Sequence, residues 1–408
     1  MMASSWIWQQ PDWPQFRWEG SALEPLLEQA GATRQELLGR LETLEPPLDR
    51  EAISALLGRE SLGTAAIEGE LLDPGQVRSS IARRLRLPLA EGQPAASAQV
   101  EGLLDVLLEA TSTLDKPLTL TTLNHWHQRL FAAGPDGLRV IRIGELRDGA
   151  PMQVLSGAIG REHLHFEAPP RDQLKEQLEA FLDWVASPPE QLDGLLRAGL
   201  AHLWFLTLHP YEDGNGRLAR AITDRLLAQD CKAQAQQALS GRALGISTQI
   251  LRERQGYYMA LERCQRGELD VTVWLRWFLE QLTAATLTNG AVINAVRRKA
   301  AFWWSHRHSG FNSRQQKLLN RLLDAEPEGF TGGMTLRKAI GLTKVSRATA
   351  WRDLAELVEL RAIEPIGEGR SRAYRLRWPG APPPGDGAAV RNGWVAYPLR
   401  LLASGDFA

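Results

Sequence analysis

The chain has 408 residues, 44% of them hydrophobic and 23% charged, a length that predicts roughly two to four packed domains. Forty-seven Lys and Arg against 48 Asp and Glu leave a net charge of -1, which excludes a polycation that coats nucleic acid or anionic lipid, so any such binding has to be local. Two cysteines, Cys231 and Cys264, exclude a disulfide scaffold and a four-cysteine zinc site. They fit a reducing cytosol. The first residues (MMASSWIWQQPDWPQ) lack a basic region followed by an apolar run, and the most apolar stretch, Leu195 to Leu208, is interrupted by Arg197 and His202. The expectation is a cytoplasmic protein without a membrane partner.

In chain order, Trp6, Trp8, Trp13 and Trp18 beside Pro11 and Pro14 predict an aromatic arm packed on the body. Apolar residues at spacings of three and four then predict helix from Leu23 to about Leu87, broken once at Pro46 and Pro47. The same rhythm returns over Ser97–Ala110, Thr121–Ala132, Arg171–Ala186, Gln191–Ala228, Gln249–Arg266 and Val271–Arg297, so the body is expected to be mainly α. Residues 141–170 break it, with β-branched residues near glycines at 144, 149, 157 and 160, and predict a hairpin or flap. Residues 301–380 carry 14 Lys and Arg against 8 Asp and Glu, the place for a nucleic-acid hypothesis. The Pro/Gly-rich stretch from Ala381 predicts a poorly ordered tail.

One segment concentrates chemistry: HPYEDGNGRLAR, His209 to Arg220. Pro210 ends the preceding helix, and Gly214 and Gly216 permit a tight turn whose amides converge before a helix restarts at Arg217. Such a turn at a helix N-terminus is an anion site, to which Asn215 adds a side-chain donor. Arg217 and Arg220 share the first helical turn, where a cation is disfavoured by about 0.3–1 kcal/mol unless an anion neutralises it. Their placement points to a polyphosphate. Asp213 is a hard oxygen ligand for a magnesium ion, and His209 has the pKa range of a general base. Gly214-Asn-Gly216-Arg-Leu-Ala219 also fits G-x-G-x-x-A. However, a helical pattern precedes it and Ala238 to Ser240 lacks the acid that a dinucleotide fold requires. His202 with His209, and the H-x-H of His163 and His165, lack an evident third metal ligand in the sequence.

HPYEDGNGRLAR resembles the Fic (filamentation induced by cAMP) signature HxFx[D/E]GNGRxxR, departing only at Tyr211, where the family usually has Phe. The resemblance implies a Fic-type helical core that transfers AMP from ATP to a Ser, Thr or Tyr hydroxyl of a target protein. His209 would be the base, Asp213 would hold Mg2+, Gly214, Asn215 and Gly216 would lie on the phosphate chain, and Arg217 and Arg220 on its outer phosphates. Upstream, Thr64 to Gly69 resembles the family's inhibitory pattern [S/T]xxxE[G/N], which implies that Glu68 pairs with Arg220 and obstructs ATP. The segment Met152–Pro170 is similar to the flap that pairs with the target backbone, which places Val154, Ser156, Gly157, Ala158 and Ile159 near ATP. Tyr257 matches a position near the adenine, and Gln265 stands where relatives have Asn. WIWQQPDWPQFRW resembles the small domain ahead of many bacterial Fic cores, so the likeness spans roughly residues 5–295.

Met334–Leu376 shows a short helix, a turn at Gly341-Leu-Thr, a helix opened by Ser346, and two short strands around Gly367 and Gly369. It resembles a winged helix-turn-helix that would offer Lys344, Arg347, Thr349 and Arg352 to a DNA groove and Arg370 and Arg372 to phosphates. Such modules also dock proteins or dimerise, so a homodimer stays open. The expected organisation is an N-terminal region at 1–95 with the inhibitory helix, a catalytic core at 96–297 with its flap at 141–170, a winged helix at 301–380, and a tail at 381–408. The expected function is a self-inhibited, Mg2+-dependent protein adenylyltransferase acting with ATP on an unknown target protein. A nucleotide-sensing DNA-binding regulator, or removal of AMP by the same site, is the alternative.

Overall fold

The computed structural model describes residues 6–88, 92, 94–134, 141–156, 161–234 and 243–379. The chain divides into two compact units, residues 1–300 and 301–408. Helices dominate, as the periodicity predicts.

The first unit contains α1 (Gly20–Glu42), α2 (Leu48–Ile67), α3 (Pro74–Leu85), α4 (Ala98–Ser112) and α5 (Leu120–Leu130). The hairpin β1 (Gln153–Ser156) and β2 (His163–Glu167) follows, then α6 (Arg171–Ala186), α7 (Gly194–Leu208), α8 (Asn215–Gln234), α9 (Ser247–Arg252), α10 (Arg254–Gln265) and most of α11 (Thr272–Ser305), whose last turn falls past residue 300. The pattern expected as one helix broken once between Leu23 and Leu87 is broken twice. The second break, Glu68 to Asp73, arises because Gly69 takes φ 84° and Asp73 caps α3, its Oδ1 accepting from the Gln76 amide at 2.8 Å, with Pro74 at the first helical position.

The core is built around α7, in which every residue from Ala198 to Leu208 is buried. A helix buried all round belongs at the centre of a bundle, and α7 packs along α8 while α2 packs on α9. Asp193 caps α7, accepting from the Leu195 amide at 2.7 Å. At its other end the chain turns out through His209 in the left-handed conformation, φ 47°. The tryptophan arm packs on the body: Trp6 meets Phe166 edge-on at 5.4 Å, and Trp13 and Phe16 meet Trp204 at 6.1 and 5.7 Å. The hairpin is antiparallel, and its register slips between Val154 and Leu155 so that His165 is the extra residue of a bulge.

In the second unit, α12 (Ser313–Leu323), α13 (Leu336–Thr343) and α14 (Arg347–Glu359) precede the antiparallel pair β3 (Ile363–Ile366) and β4 (Ala373–Leu376). Leu319, Leu354, Leu357 and Ile363 are buried in its core. The turn expected at Gly341-Leu-Thr falls later: α13 continues to Thr343, and Lys344 takes the left-handed conformation, φ 57°. Ser346 caps α14 through the Thr349 amide at 3.2 Å. The expected tail, 381–408, lies outside the described residues.

Candidate active site

The loop from His209 to Gly214 joins α7 to α8, and the helix restarts at Asn215, two residues before the expected Arg217. Asn215 explains the early start. Its Oδ1 accepts from the Tyr211 amide at 3.0 Å and its Nδ2 donates to the Tyr211 carbonyl at 2.8 Å, so it closes the loop instead of directing its amide at an anion. Tyr211 is fully buried, and its hydroxyl donates to Asn124 Oδ1 at 2.8 Å. That hydroxyl bond is what the aromatic departure from Phe supplies here.

His127 lies flat on Tyr211, 4.3 Å between ring centroids, and no local pattern marks it. Its Nδ1 accepts from the Gly144 amide at 2.9 Å, so the other nitrogen carries the proton and donates to the Asp213 carbonyl at 3.1 Å. Burial lowers its pKa to about 4, which keeps this ring neutral and the bond pattern fixed. Arg147, buried, is a second residue that the sequence reading missed. Its Nε donates to the His209 carbonyl at 2.9 Å, its amide donates to the Pro210 carbonyl at 3.0 Å, and its guanidinium also reaches the Pro169 carbonyl. One residue thus holds the loop and the end of the hairpin segment together.

The His209 imidazole donates from Nδ1 to the Leu206 carbonyl at 3.3 Å, leaving the Nε2 lone pair uncommitted among the described residues. Burial lowers its pKa to about 4, so it is neutral at pH 7 and able to accept a proton. Asp213 is exposed. Its Oδ1 accepts from the Gly214 amide at 2.6 Å, and one carboxylate oxygen is left for a ligand.

The two arginines point at the end of α2. Arg220, 1% exposed, donates from Nε to Thr64 Oγ1 at 2.7 Å and from Nη2 to Glu68 Oε1 at 2.6 Å and to the Thr64 carbonyl at 3.2 Å. Arg217, also buried, donates to Glu70 Oε1 at 2.6 Å and lies over the Phe131 ring at 4.8 Å. Burial raises the Glu68 carboxyl, but the Arg220 guanidinium outweighs it and holds the pKa below the usual carboxylate range. The pair is ionised at neutral pH. Gly216 makes room for it: a Cβ there would lie 2.5 Å from Glu68 Oε1. Glu70 lies beyond the six-residue pattern read in the sequence, and only the fold brings it to Arg217.

Behind Arg220 lie two further buried carboxyls, Glu60 on α2 and Asp224 on α8, both raised by burial. Tyr257 is buried too, its hydroxyl 2.9 Å from His202 Nε2, and Gln265 donates to Thr207 Oγ1 at 3.4 Å. The resemblance places these two beside an adenine. Here both are enclosed by helix packing and present almost no face to solvent. On the hairpin, Val154 is exposed and Ser156 Oγ bonds His165 Nε2 at 2.6 Å. Gly157, Ala158 and Ile159 lie outside the described residues.

In the second unit, Arg347 and Arg352 flank an exposed Trp351, 57% accessible, that the basic-residue reading passes over, and with Leu336 and Ala348 they line a shallow cavity of about 560 Å³. Thr349 Oγ1 lies 3.0 Å from Ser346 Oγ at the cap, and the Arg372 guanidinium lies 5.7 Å over the Tyr374 ring. The Arg370 side chain is outside the described set.

Residues 117–227 match the Fic/DOC family, and residues 6–87 match a domain of unknown function, DUF4172. The Fic/DOC segment contains the whole His209–Arg220 loop together with His127 and Arg147. A curated relative, "Protein adenylyltransferase Fic" of Nematostella vectensis, is 30% identical over 122 residues, 29% of this chain and 25% of that protein, so the match spans about a quarter of the relative's length. Among solved structures, a Fic family protein from Desulfovibrio desulfuricans G20 is 21% identical over 88% of this chain and 97% of its own, with a TM-score of 0.48. A Fic domain containing signaling protein from Bacteroides thetaiotaomicron VPI-5482 is 15% identical over 67% of this chain and 97% of its own, with a TM-score of 0.46. Among the described residues, no helix is long and apolar enough to cross a membrane.

Proposed function

We propose that the chain is a protein adenylyltransferase restrained by Glu68. The observation that carries the reading is one loop that holds a neutral, half-buried His209 with an uncommitted Nε2 beside two buried arginines, each engaged by a glutamate. A carboxylate pair on two phosphate-directed guanidiniums is what an outer phosphate would have to displace. The match of residues 117–227 to the Fic/DOC family and the name of the Nematostella relative support the same chemistry.

In the proposed reaction the target's Ser, Thr or Tyr oxygen attacks the α-phosphorus of ATP while His209 Nε2 takes its proton. The bond from the α-phosphorus to the bridging oxygen breaks, and pyrophosphate leaves. The turn at Gly214 offers backbone amides to the charge that develops on the phosphoryl oxygens. Arg217 and Arg220 hold the outer phosphates once Glu70 and Glu68 have released them. A magnesium ion would be held by the exposed oxygen of Asp213 and by the phosphates, where it would neutralise their charge; a single carboxylate suits an ion that keeps several waters. The hairpin would hold the target's backbone by strand addition along β1.

For residues 301–380 we propose a winged helix whose Lys344, Arg347, Thr349, Arg352 and Arg372 face DNA phosphates and bases. The test of the catalytic reading is transfer of label from ATP tagged at the α-phosphate. Glu68→Gly should transfer at least about tenfold faster than the wild type, since an outer-phosphate contact to a charged donor is worth about 1.5–3 kcal/mol. Equal rates in the two proteins would remove the restraint from the account.

A further inference from the structure

We propose that His163, His165 and Glu262 form a binding site for a divalent transition metal, zinc(II) by preference, which ties β2 of the hairpin to α10. The H-x-H pair lacks a third ligand in the sequence because that ligand stands on another element, about a hundred residues away. In the fold, Glu262 of α10 sets Oε2 2.7 Å from His165 Nδ1 and Oε1 3.5 Å from His163 Nε2. One ligand atom from each of the three residues lies within 4.8 Å of the others. A tetrahedral zinc with bonds near 2.0–2.1 Å needs its ligand atoms on the order of 3.3 Å apart, so closure takes up to about 1.5 Å of side-chain movement. His163, exposed, has that freedom.

The hairpin's bulge builds the pair. The rings of His163 and His165 are 4.6 Å apart and edge to face. The extra residue at His165 re-aims its side chain towards Glu262.

An outer-shell partner is in place as well. Ser156 Oγ lies 2.6 Å from His165 Nε2. Without metal, the serine hydroxyl donates to Nε2 and Nδ1–H donates to Glu262. With metal, the ring proton moves to Nε2 and is donated to Ser156, which frees Nδ1 as a ligand with no net proton change. Metal-bound histidines ordinarily have such a partner on the second nitrogen. Two imidazoles and one carboxylate with an open position suit zinc and its neighbours and disfavour magnesium and calcium, which take oxygen sets. Arg266 Nε lies 3.0 Å from Glu262 Oε1, a contact the metal would weaken. Its other bonds, to the His165 and Leu164 carbonyls, keep its charge close, which opposes the cation and lowers its affinity.

None of these residues belongs to the His209 loop, and metal binding is read without nucleotide or target, so this proposal and the adenylyltransferase reading stand or fall separately. The test is titration of the untagged full chain with Co2+, followed by visible absorption, then displacement with Zn2+. One equivalent of Co2+ should give a ligand-field band that a single equivalent of Zn2+ removes and a hundredfold excess of Mg2+ leaves. His163→Ala, His165→Ala and Glu262→Gln should each weaken binding on the order of a hundredfold, and Ser156→Ala about tenfold, while His125→Ala, at an exposed position on α5 beside Glu109, should leave it unchanged. His163 is exposed, so its substitution does not threaten the fold. Absence of the band, its loss to Mg2+, or equal affinity in the wild type and His163→Ala would overturn the proposal.

Discussion

Burial decides the protonation of His209. A pKa lowered to about 4, against an ordinary 6.5, means that the imidazole is already unprotonated at pH 6, so base catalysis should not fade between pH 8 and pH 6. The rate of label transfer by Glu68→Gly, measured against pH with nucleotide saturating, should be level across that interval and fall only as pH approaches 4 to 5. A decline centred near 6.5 would show an imidazole with ordinary hydration. The Glu68 and Arg220 pair carries a second consequence at this scale. Removing the acid leaves a guanidinium that is 1% exposed with only its Thr64 bonds, and losing a charge-assisted bond to a partly exposed carboxylate costs about 1.5–3 kcal/mol. Glu68→Gly should therefore melt earlier than the wild type, and ATP should raise its melting temperature further than that of the wild type, because outer phosphates take the carboxylate's place. An equal ATP shift in both proteins would contradict the pairing as the obstacle to phosphate.

Elements explain what the sequence makes legible. The twelve residues from His209 to Arg220 are readable because imidazole, glycine turn and cations are consecutive, and the helix that follows puts Arg217 and Arg220 on one face. His127, Asn124 and Arg147 are not readable. They act on the loop from 62 to 87 positions away, and nothing local distinguishes His127 on α5 from any other apolar-face histidine. The break at Glu68 to Asp73 escapes the pattern for a related reason: helical rhythm runs through it, and a positive φ at Gly69 with an Asx cap at Asp73 ends and restarts the helix without disturbing the apolar spacing. The close crossing of α2 on α9 gives a prediction that belongs to this scale. A Cβ at Gly63 would lie 3.0 Å from the Thr248 amide nitrogen, so Gly63→Ala should overpack the crossing, cost about 1–3 kcal/mol, and raise basal transfer by loosening the helix end that holds Thr64 and Glu68. A urea midpoint equal to that of the wild type would show that the crossing yields freely.

At the scale of the whole molecule, the net charge of -1 and the local basic excess of residues 301–380 divide the expected work between two units. If the α14 face binds DNA through phosphates, affinity in a gel shift should fall steeply across a salt series, each phosphate contact contributing about 0.9 to the slope of log K against log salt, and Arg347→Ala should flatten that slope by about one. Retardation that ignores salt would argue instead for the apolar Trp351 face. The proposed transfer of AMP belongs to the first unit. Its most direct test is label transfer from α-phosphate-tagged ATP in magnesium, comparing the wild type, Glu68→Gly, and Glu68→Gly with His209→Ala, with and without host lysate. Label is expected on protein in Glu68→Gly, little in the wild type, and none when His209 is also replaced. Full transfer by the doubly substituted chain, or no label on any protein while ATP still binds, would contradict it.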